Sequence, residues 1–444
     1  MTAAPAGQPA RGRTGVLARL TAGWRDSDHP ASLHEHARRY GQLPPVRDGH
    51  VAGRRVTDMV SAAGLTGRGG AGFPTGIKMR SVAAHRGPAV VVANGMESEP
   101  ASEKDQALLA HAPHLVLDGI ELAASAVGAA AAYLCLSRSR GWLTDIVLDA
   151  VGQRQHAGLD GVALEVHELP HNYVSSEETS LVHWLNGGDA KPTATPPRPF
   201  ERGVRRRPTL VDNVETLAHI ALIARYGADW FTAAGEGDMP GTMLATVTGA
   251  VADAGVYEIG GGTRIGDVLL AAQARPGIEA VLVGGYFGSW HPVSEVASLP
   301  FTKAGLDQAG GAPGAGVLFA LPPAACGLAE AARILGYLAG ESAQQCGPCM
   351  FGLPAIAGDL AQLAAGRPDG DPLDRLQRRF RQITGRGGCR HPDGAIGMAA
   401  SALRTFAADV HAHMRRRPCI AAARGQQVTG WLPVPPGAAE GGWR

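Results

Sequence analysis

Between residues 89 and 169 short apolar runs alternate with helical ones, and this alternation constrains the fold more than any other feature. AVVVANG (89–95) is brief, continuous and valine-rich, the mark of a strand buried on both faces. HLVLDGIELAASAVG (114–128) has helical spacing, AAYLCLS (131–137) reads as a strand, LTDIVLDAVGQRQ (143–155) as a helix and VALEVHEL (162–169) as a third strand. Strands separated by helices pair in parallel, so this part of the chain is expected to be an α/β domain with a mostly parallel sheet. Ahead of it, TDMVSAAGL (57–65) is also helical in spacing.

The texture changes near residue 240. TMLATVTGAV and GVYEIGGGTRIGDVLLAA read as strand, turn, strand and short helix, and AVLVGGYFG as a strand ending in a Gly-Gly turn. These make a small α+β module. From Gly327 onward strands give way to amphipathic helical stretches, LAEAARILGYLAGES, LPAIAGDLAQLAAG, PLDRLQRRFRQIT and AASALRTFAADVHAHM, which predict a helical bundle. Residues 1–50 are expected to be a partly ordered arm, and 421–444 a flexible tail.

Lysine plus arginine at 41 nearly cancel aspartate plus glutamate at 40, which argues against nucleic acid or an anionic membrane as partner. No segment suits a bilayer span. Leu115–Leu136 comes nearest, but it carries Asp118 and Glu121 and reads as a buried helix running into a strand. The N-terminal stretch MTAAPAGQPARGRTG has no apolar signal core, so a cytoplasmic location is expected. There, six cysteines suit thiols or metal ligands better than disulfides.

The stretch GRGGAGFPTGIKM (67–79) matches G-x-G-x-x-G, but with 61 glycines in 444 residues that pattern arises about once by chance. A helix precedes it, not a strand, and Pro74-Thr75-Gly76 would break a helix opening after it, so it is no dinucleotide fingerprint. It lacks the Gly-Lys-Ser/Thr of a P-loop. Consecutive glycines let backbone N–H groups approach a flat or anionic ligand, and Lys78 supplies a point charge. An ordinary surface loop is the alternative.

Three further stretches follow strands or a basic run. NGMESEP (94–100) places Asn94, Glu97 and Glu99 beyond a strand, where open α/β sheets bind ligands; a solvated acidic turn is the plain alternative. In YVSSEETSL (173–181), Ser175 and Glu178 have capping-box spacing, which leaves Glu177 over. LVDNVETL (210–217) supplies Asn213 and Thr216 after the basic run Arg205–Arg207, itself read as a solvated face. ESAQQCGPCMFG (341–352) carries Cys346-x-x-Cys349, and Cys389 lies in GRGGCRHPDG. This set suits an iron–sulfur cluster, or zinc with His391 completing four ligands. Cys135, Cys326 and Cys419 are expected to be buried or incidental.

Taken in order, these stretches resemble one family over roughly residues 55–415: the NADH-oxidising flavoprotein subunit of respiratory complex I and its relatives in hydrogenase diaphorases and NAD-linked formate dehydrogenases. The family's flavin loop resembles GRGGAGFPTGIKM nearly letter for letter. Its Asn-Ala-Asp-Glu-x-Glu-Pro resembles NGMESEP, its Tyr-Ile-Cys-Gly-Glu-Glu-Thr resembles YVSSEET, and its Val-Asn-Asn-Val-Glu-Thr resembles VDNVET. Its Glu-Ser-Cys-Gly-x-Cys-x-Pro-Cys resembles ESAQQCGPC. The resemblance implies a Rossmann-like α/β flavin domain (51–238), a β-grasp module (239–322) and a helical iron–sulfur domain (323–420).

It also implies FMN, NAD(H) and a 4Fe-4S or 3Fe-4S cluster. Gly67, Arg68, Gly69, Gly70, Lys78, Asn94 and Glu97 would surround FMN, together with Tyr173, Ser176, Glu177, Asp212, Asn213 and Thr216. Phe73 would stack on the adenine, and Glu99 and Glu178 would lie along the nucleotide, repelling a 2′-phosphate and favouring NADH over NADPH. Cys346, Cys349 and Cys389 would ligate iron. No side chain need act as acid or base, since hydride transfer belongs to the cofactor, with Glu97 nearby.

The chain departs from the family at Ala343, where the first cluster cysteine stands, and at Met96, where an aspartate stands. Ser81 and Arg198 replace two adenine-contacting aromatics, and Thr195 replaces a lysine. The expected function is transfer of a hydride from NADH to FMN and of single electrons through the cluster to a ferredoxin-like or membrane-bound redox partner. The chain itself would not enter the membrane and would work in a hetero-complex, at the inner membrane face through that partner. An electron relay reduced by a partner protein or NADPH is the alternative, and a zinc-stabilised scaffold a third reading.

Overall fold

The computed structural model describes residues 12–14, 18–26, 29–43, 50–417, 419, 430–435 and 442–444. Among them ten strands form two sheets: β1 (Gly12–Thr14), β2 (Ala89–Gly95), β3 (Ala129–Ser137), β4 (Leu164–Leu169), β5 (Thr209–Asn213), β6 (Thr242–Gly249), β7 (Gly255–Gly260), β8 (Ala280–Val283), β9 (Ser289–Pro292) and β10 (Val317–Ala320). The first sheet runs β4-β3-β2-β5, with every neighbouring pair parallel. This is the parallel sheet that the alternating runs predict.

The valines of β2 serve two cores at once. Val91 and Ala93 pack with helices Pro113–Val127 and Val214–Tyr226, while Val90 and Val92 face Leu169 and Leu181 on the other side. Those two helices meet at Gly119, where a Cβ would lie 2.0 Å from the Leu217 carbonyl oxygen, so any side chain would force them apart. The apolar stretch around Leu115–Leu136 is a helix that ends at Gly128 in the left-handed conformation (φ +65°) and continues as β3. Its Asp118 is buried and pairs with Arg154 at 2.6 Å, with His36 at 2.7 Å and with Arg225. No helix among the described residues is long and apolar enough to cross a membrane.

The second sheet is mixed, in the order β1-β7-β6-β10-β8-β9. Strands β6 and β10 are parallel, as are β1 and β7, and the other pairs are antiparallel. Leu282, Trp290 and Phe319 point to one face, where helices Gly327–Gly340, Leu353–Ala364 and His391–Thr405 pack. Val281, Val283 and Leu318 point to the other face, into a separate small core. Strands β5, β9 and β10 are too short for a periodic signal. The last amphipathic stretch is two helices, His391–Thr405 and Ala407–Met414, parted at Phe406, whose ring packs on Trp290.

The arm and tail fall partly outside the described residues, and the described pieces are held. Residues 12–14 form β1 on the edge of the second sheet. Buried Glu258 of β7 accepts hydrogen bonds from the N–H groups of Arg19, Leu20 and Thr21 at 2.8–3.0 Å, and from the Thr242 hydroxyl. At the other end, the N–H groups of Trp431 and Leu432 donate to Glu330, and Leu432 is buried. Glu258→Ala would leave the buried N–H donors of Leu20 and Thr21 and the partly buried one of Arg19 unmatched. Chemical unfolding is expected to show a loss of about 3 kcal/mol or more, with Glu258→Gln retaining much of it.

Candidate functional site

The order β4-β3-β2-β5 reverses direction at β2. The chain steps from β2 to β3 to β4 on one side and returns to place β5 on the other. Ligands bind in the crevice beyond the carboxyl ends of strands at such a point. Here Asn94, one residue before the end of β2, pairs with Asn213, which ends β5. A cleft of about 530 Å³ opens above them, within the range of small-molecule sites.

The glycine loop forms one wall. Gly67 N–H donates to the Phe73 carbonyl at 2.9 Å and closes the loop. Gly69 and Gly70 line the cleft; a Cβ at Gly69 would lie 3.4 Å from Asn213 Cβ, and Gly70 has φ +105°, a conformation that side chains rarely adopt. Arg68 lines the cleft as well. It is buried, and its guanidinium donates to Thr66 Oγ1 and to the carbonyls of Pro240 and Thr242, clamping the loop to the second sheet. Its N–H donates to Thr216 Oγ1 at 2.8 Å, which fixes the loop on the helix after β5. Thus Arg68 clamps the loop while lining the cleft, and Thr216 holds the loop from outside the lining.

The acidic turn forms the floor. Glu97 has φ +39°, and its carboxylate accepts from the N–H groups of Asp105 and Gln106 at 2.8 and 2.9 Å and from Ser102 Oγ at 2.8 Å. It thereby satisfies the open end of helix Lys104–His111 while lining the cleft. Asn94 Nδ2 donates to the Ser176 carbonyl at 2.8 Å. Glu99 accepts from the Tyr173 hydroxyl at 2.8 Å and the Tyr286 N–H at 2.9 Å, and burial pushes its carboxyl up to about 7. Met96, at the position of the family's aspartate, is fully buried in the core below.

Glu177, left over in the capping-box reading, proves to be the cap itself. Helix Glu178–Leu185 starts after it, and its carboxylate accepts from the N–H groups of Thr179 and Ser180, while Ser175 Oγ turns to the Ala190 carbonyl. Tyr173–Ser176 is a single 3₁₀ turn rather than the first turn of the helix, so the cap falls two residues later. Glu177 also lines the cleft.

Lys78, Asp212 and Glu178 stand beside the cleft, not in its lining. Lys78 Nζ lies 3.4 Å from Glu178 and 3.7 Å from Asp212, and donates to the Val211 carbonyl. Asp212 Oδ2 is buried without a partner, and burial lifts the Asp212 carboxyl to about 6. Phe73 is 54% exposed beyond the loop. Ser81 turns its hydroxyl to the Ile77 carbonyl, and Thr195 and Arg198 are exposed.

Several lining residues carry no motif that sequence reading could isolate. Lys104 is buried and lies 2.6 Å from Asp105, 2.8 Å from Glu215 and 3.4 Å from Asn213 Oδ1. Burial alone would lower its pKa, but Asp105, Glu215 and Glu97 outweigh this and keep it charged. Asn213 Nδ2 donates to Asp105 at 2.6 Å. Phe287, from the Gly-Gly turn after β8, stands at the mouth and packs against Tyr173 and His391. The position of Lys104, soon after an acidic turn, was the one available signal.

The far wall carries one of the three cysteines singled out in the sequence. Cys389, Arg390 and His391 line the same cleft as Gly69 and Gly70. Cys346 and Cys349 bracket one tight turn, with Cys349 N–H donating to the Cys346 carbonyl at 3.0 Å. Burial pushes Cys349 up to about 12, with Cys346 and Cys389 adding to it; Cys389 is raised by burial, then by Glu177 and Cys346. Three thiols therefore act on one another beside the cleft. His391 Nε2 meets the Leu338 carbonyl at 2.7 Å, so it is the protonated nitrogen, and buried Nδ1 has no partner. Ala343 is buried and brings no ligand.

These residues fit the groups the fold implies. The glycine wall accepts a flat ring, buried Asp212 Oδ2 lacks a partner, and three converging thiols with the free His391 Nδ1 suit a soft or borderline iron centre.

Residues 60–222 match the Nuo51 FMN-binding domain, and residues 329–413 match the NADH-ubiquinone oxidoreductase-F iron-sulfur binding region. The chain is 31% identical over 422 residues to the F subunit of NADH-quinone oxidoreductase from Streptomyces coelicolor, covering 91% of this chain and 93% of that one. It is 30% identical over 379 residues to the F 2 subunit of NADH-quinone oxidoreductase from Rhizobium meliloti, covering 82% and 90%. Among solved structures it is similar to a chain of an NAD+-reducing [NiFe]-hydrogenase in the air-oxidized state, with a TM-score of 0.81, 28% identity, and coverage of 95% of this chain and 72% of that one. For the H2-reduced state the TM-score is 0.77 at 30% identity, and the chain spans 63% of that chain's length.

The raised Glu99 pKa has a thermodynamic consequence. The folded chain holds this proton above the pKa of an unfolded glutamate, so stability falls as pH rises from about 4.5 to 7. The loss is about 3 kcal/mol. Thermal unfolding of Glu99→Gln between pH 5 and 8 is expected to lack this fall, because an amide keeps an oxygen for Tyr173 and Tyr286 and does not ionise.

Proposed function

Because the chain belongs to the family of NADH-quinone oxidoreductase F subunits, we propose that it is a flavoprotein component that oxidises NADH on FMN and passes electrons singly through an iron–sulfur cluster to a partner carrier. The observation that carries this reading is the shared cleft. The glycine loop and Cys389 are two walls of one cavity, so a ring bound at the first lies close to iron bound near the second. In this reading residues 51–238 are the Rossmann-like flavin and nucleotide domain, 239–322 a β-grasp module and 323–420 the helical cluster domain.

FMN, when bound, supplies the conversion of a two-electron hydride donor into one-electron steps. The chain supplies place and field. Gly69 and Gly70 offer backbone against which a flat ring can lie, and Asn94, Ser176 and Asn213 supply hydrogen-bonding groups at the strand ends. Tyr173 and Phe287 exclude water on the side nearest Cys389. Holding donor and ring in one orientation makes the transfer effectively unimolecular. Lys104 keeps one positive charge against the carboxylates of the floor. Glu99, poised near 7, holds or releases a proton at its carboxylate as charge in the cleft changes. Glu178 and Glu99 oppose a 2′-phosphate and favour NADH. Lys78 and Asp212 complete the polar border of the ring.

Cys346, Cys349 and Cys389 would hold the cluster. With Ala343 in place of a fourth thiolate, either three irons are held or the fourth takes a non-cysteine ligand, for which His391, whose buried Nδ1 has no partner, is the candidate. The partner is a ferredoxin-like or membrane-associated iron–sulfur protein in a hetero-complex, on the cytoplasmic side. Ser81 and Arg198 leave fewer aromatic contacts for the adenine than the family pattern provides, and exposed Thr195 takes the place of a lysine.

Anaerobic titration with NADH should bleach bound flavin; a flavin that stays oxidised overturns the assignment, and faster reduction by ferredoxin than by NADH or NADPH would favour a relay fed by a partner protein. Phe73→Ala is expected to raise KM for NADH about threefold to tenfold with flavin content unchanged, from the loss of roughly 1 kcal/mol of stacking. Serine at Cys346, Cys349 or Cys389 should abolish the cluster's paramagnetic signal. His391→Ala should change that signal if Nδ1 ligates iron, and an intact four-iron spectrum removes it from the ligand set.

A further inference from the structure

Cys326, His413 and Cys419 lie outside the cleft. Each offers one ligand atom, and these atoms all lie within 4.8 Å of one another; no other group of three or more is that tight among the described residues. A tetrahedral ion with bonds of about 2.3 Å to sulfur holds its ligand atoms roughly 3.8 Å apart, so a small contraction closes this set on one ion. The thiols of Cys326 and Cys419 are part of that set, within 4.8 Å of each other.

The histidine is oriented as a ligand would be. His413 is fully buried, and Nδ1 meets the Leu363 carbonyl at 3.2 Å. A carbonyl only accepts, so Nδ1 carries the proton and Nε2 the lone pair. A ring nitrogen anchored on a backbone carbonyl is the usual outer-shell support of a ligating histidine. The Cys419 N–H now donates to Nε2 at 3.0 Å, and a cation would replace that donor. Asp409, one turn before His413 on the same helix, acts electrostatically on Cys326. It also lines a cleft of about 800 Å³ that borders Ala325 and Gly327, the residues on either side of Cys326.

We propose that Cys326, His413 and Cys419 bind one divalent borderline-soft cation, zinc by its ligand chemistry, with the fourth position facing Asp409. Two thiolates and one imidazole are a zinc donor set. Binding converts two thiols to thiolates, and both protons leave to solvent. The ion would tie Cys419, beyond the last helix, to the start of helix Gly327–Gly340 and to helix Ala407–Met414. It is separate from the iron–sulfur ligands Cys346, Cys349 and Cys389 and adds a second metal to the chain.

The test uses the full-length holoprotein, loaded with Zn2+ and dialysed against a weak chelator under reductant. Metal analysis is expected to find about one zinc per chain, falling at least about tenfold in Cys419→Ser and in His413→Ala with iron and flavin content unchanged. Cys419 is half-buried and lies beyond the last helix, so its serine variant tests binding without removing core. Zinc-edge absorption should show two sulfurs at about 2.3 Å and nitrogen or oxygen at about 2.0–2.1 Å. Zinc that persists in both variants, or is lost instead in Cys346→Ser, overturns the proposal. So does a wild-type protein that retains no zinc.

Discussion

One buried ammonium joins the parts of this molecule. Lys104, at the start of a helix, meets Asp105, Glu215 and the side chain of Asn213. Glu215 in turn accepts the N–H of Leu244 at 2.8 Å, and so reaches strand β6 of the second sheet. Taking these charges from water costs several kcal/mol per ion, and only close pairing with full hydrogen bonding offsets it. A buried lysine with carboxylates on each side therefore fixes two helices and a sheet in one arrangement. The cleft lies directly above it, at the ends of β2 and β5.

Residues that look like ligand groups in the sequence are spent partly on building the site. Glu97 ends a helix, Glu177 caps another, Arg68 clamps the glycine loop and Thr216 holds its backbone. Such support leaves the bare backbone of Gly69 and Gly70 facing the cleft. The second sheet contributes as well, because its Gly-Gly turn brings Phe287 to the mouth and its far face carries the helices with the cysteines. The cleft thus has walls from all three parts of the chain.

Much of the first sheet was legible. AVVVANG gives a strand because an unbroken apolar run with three consecutive valines suits a sheet with both faces covered, and its side chains do divide between two cores. The glycine loop, the two asparagines and the cysteines at 346, 349 and 389 were legible as motifs in order. Lys104 and Phe287 were not, because a single lysine or phenylalanine has no periodicity and gains meaning only from its neighbours in space. Nor was the approach of Cys326 to Cys419, since 93 residues of chain separate them.

The sequence by itself determined which segments become strands and helices and which residue types are available for chemistry, because periodicity and glycine content act locally along the chain. Tertiary structure decided which carboxylates cap helices and which face the cleft. It also decided that Lys78 pairs beside the cleft rather than lining it, and that a third wall comes from the cysteine domain. Those outcomes depend on desolvation and on distances between segments far apart in the chain, and neither quantity exists until the sheets and helices have packed.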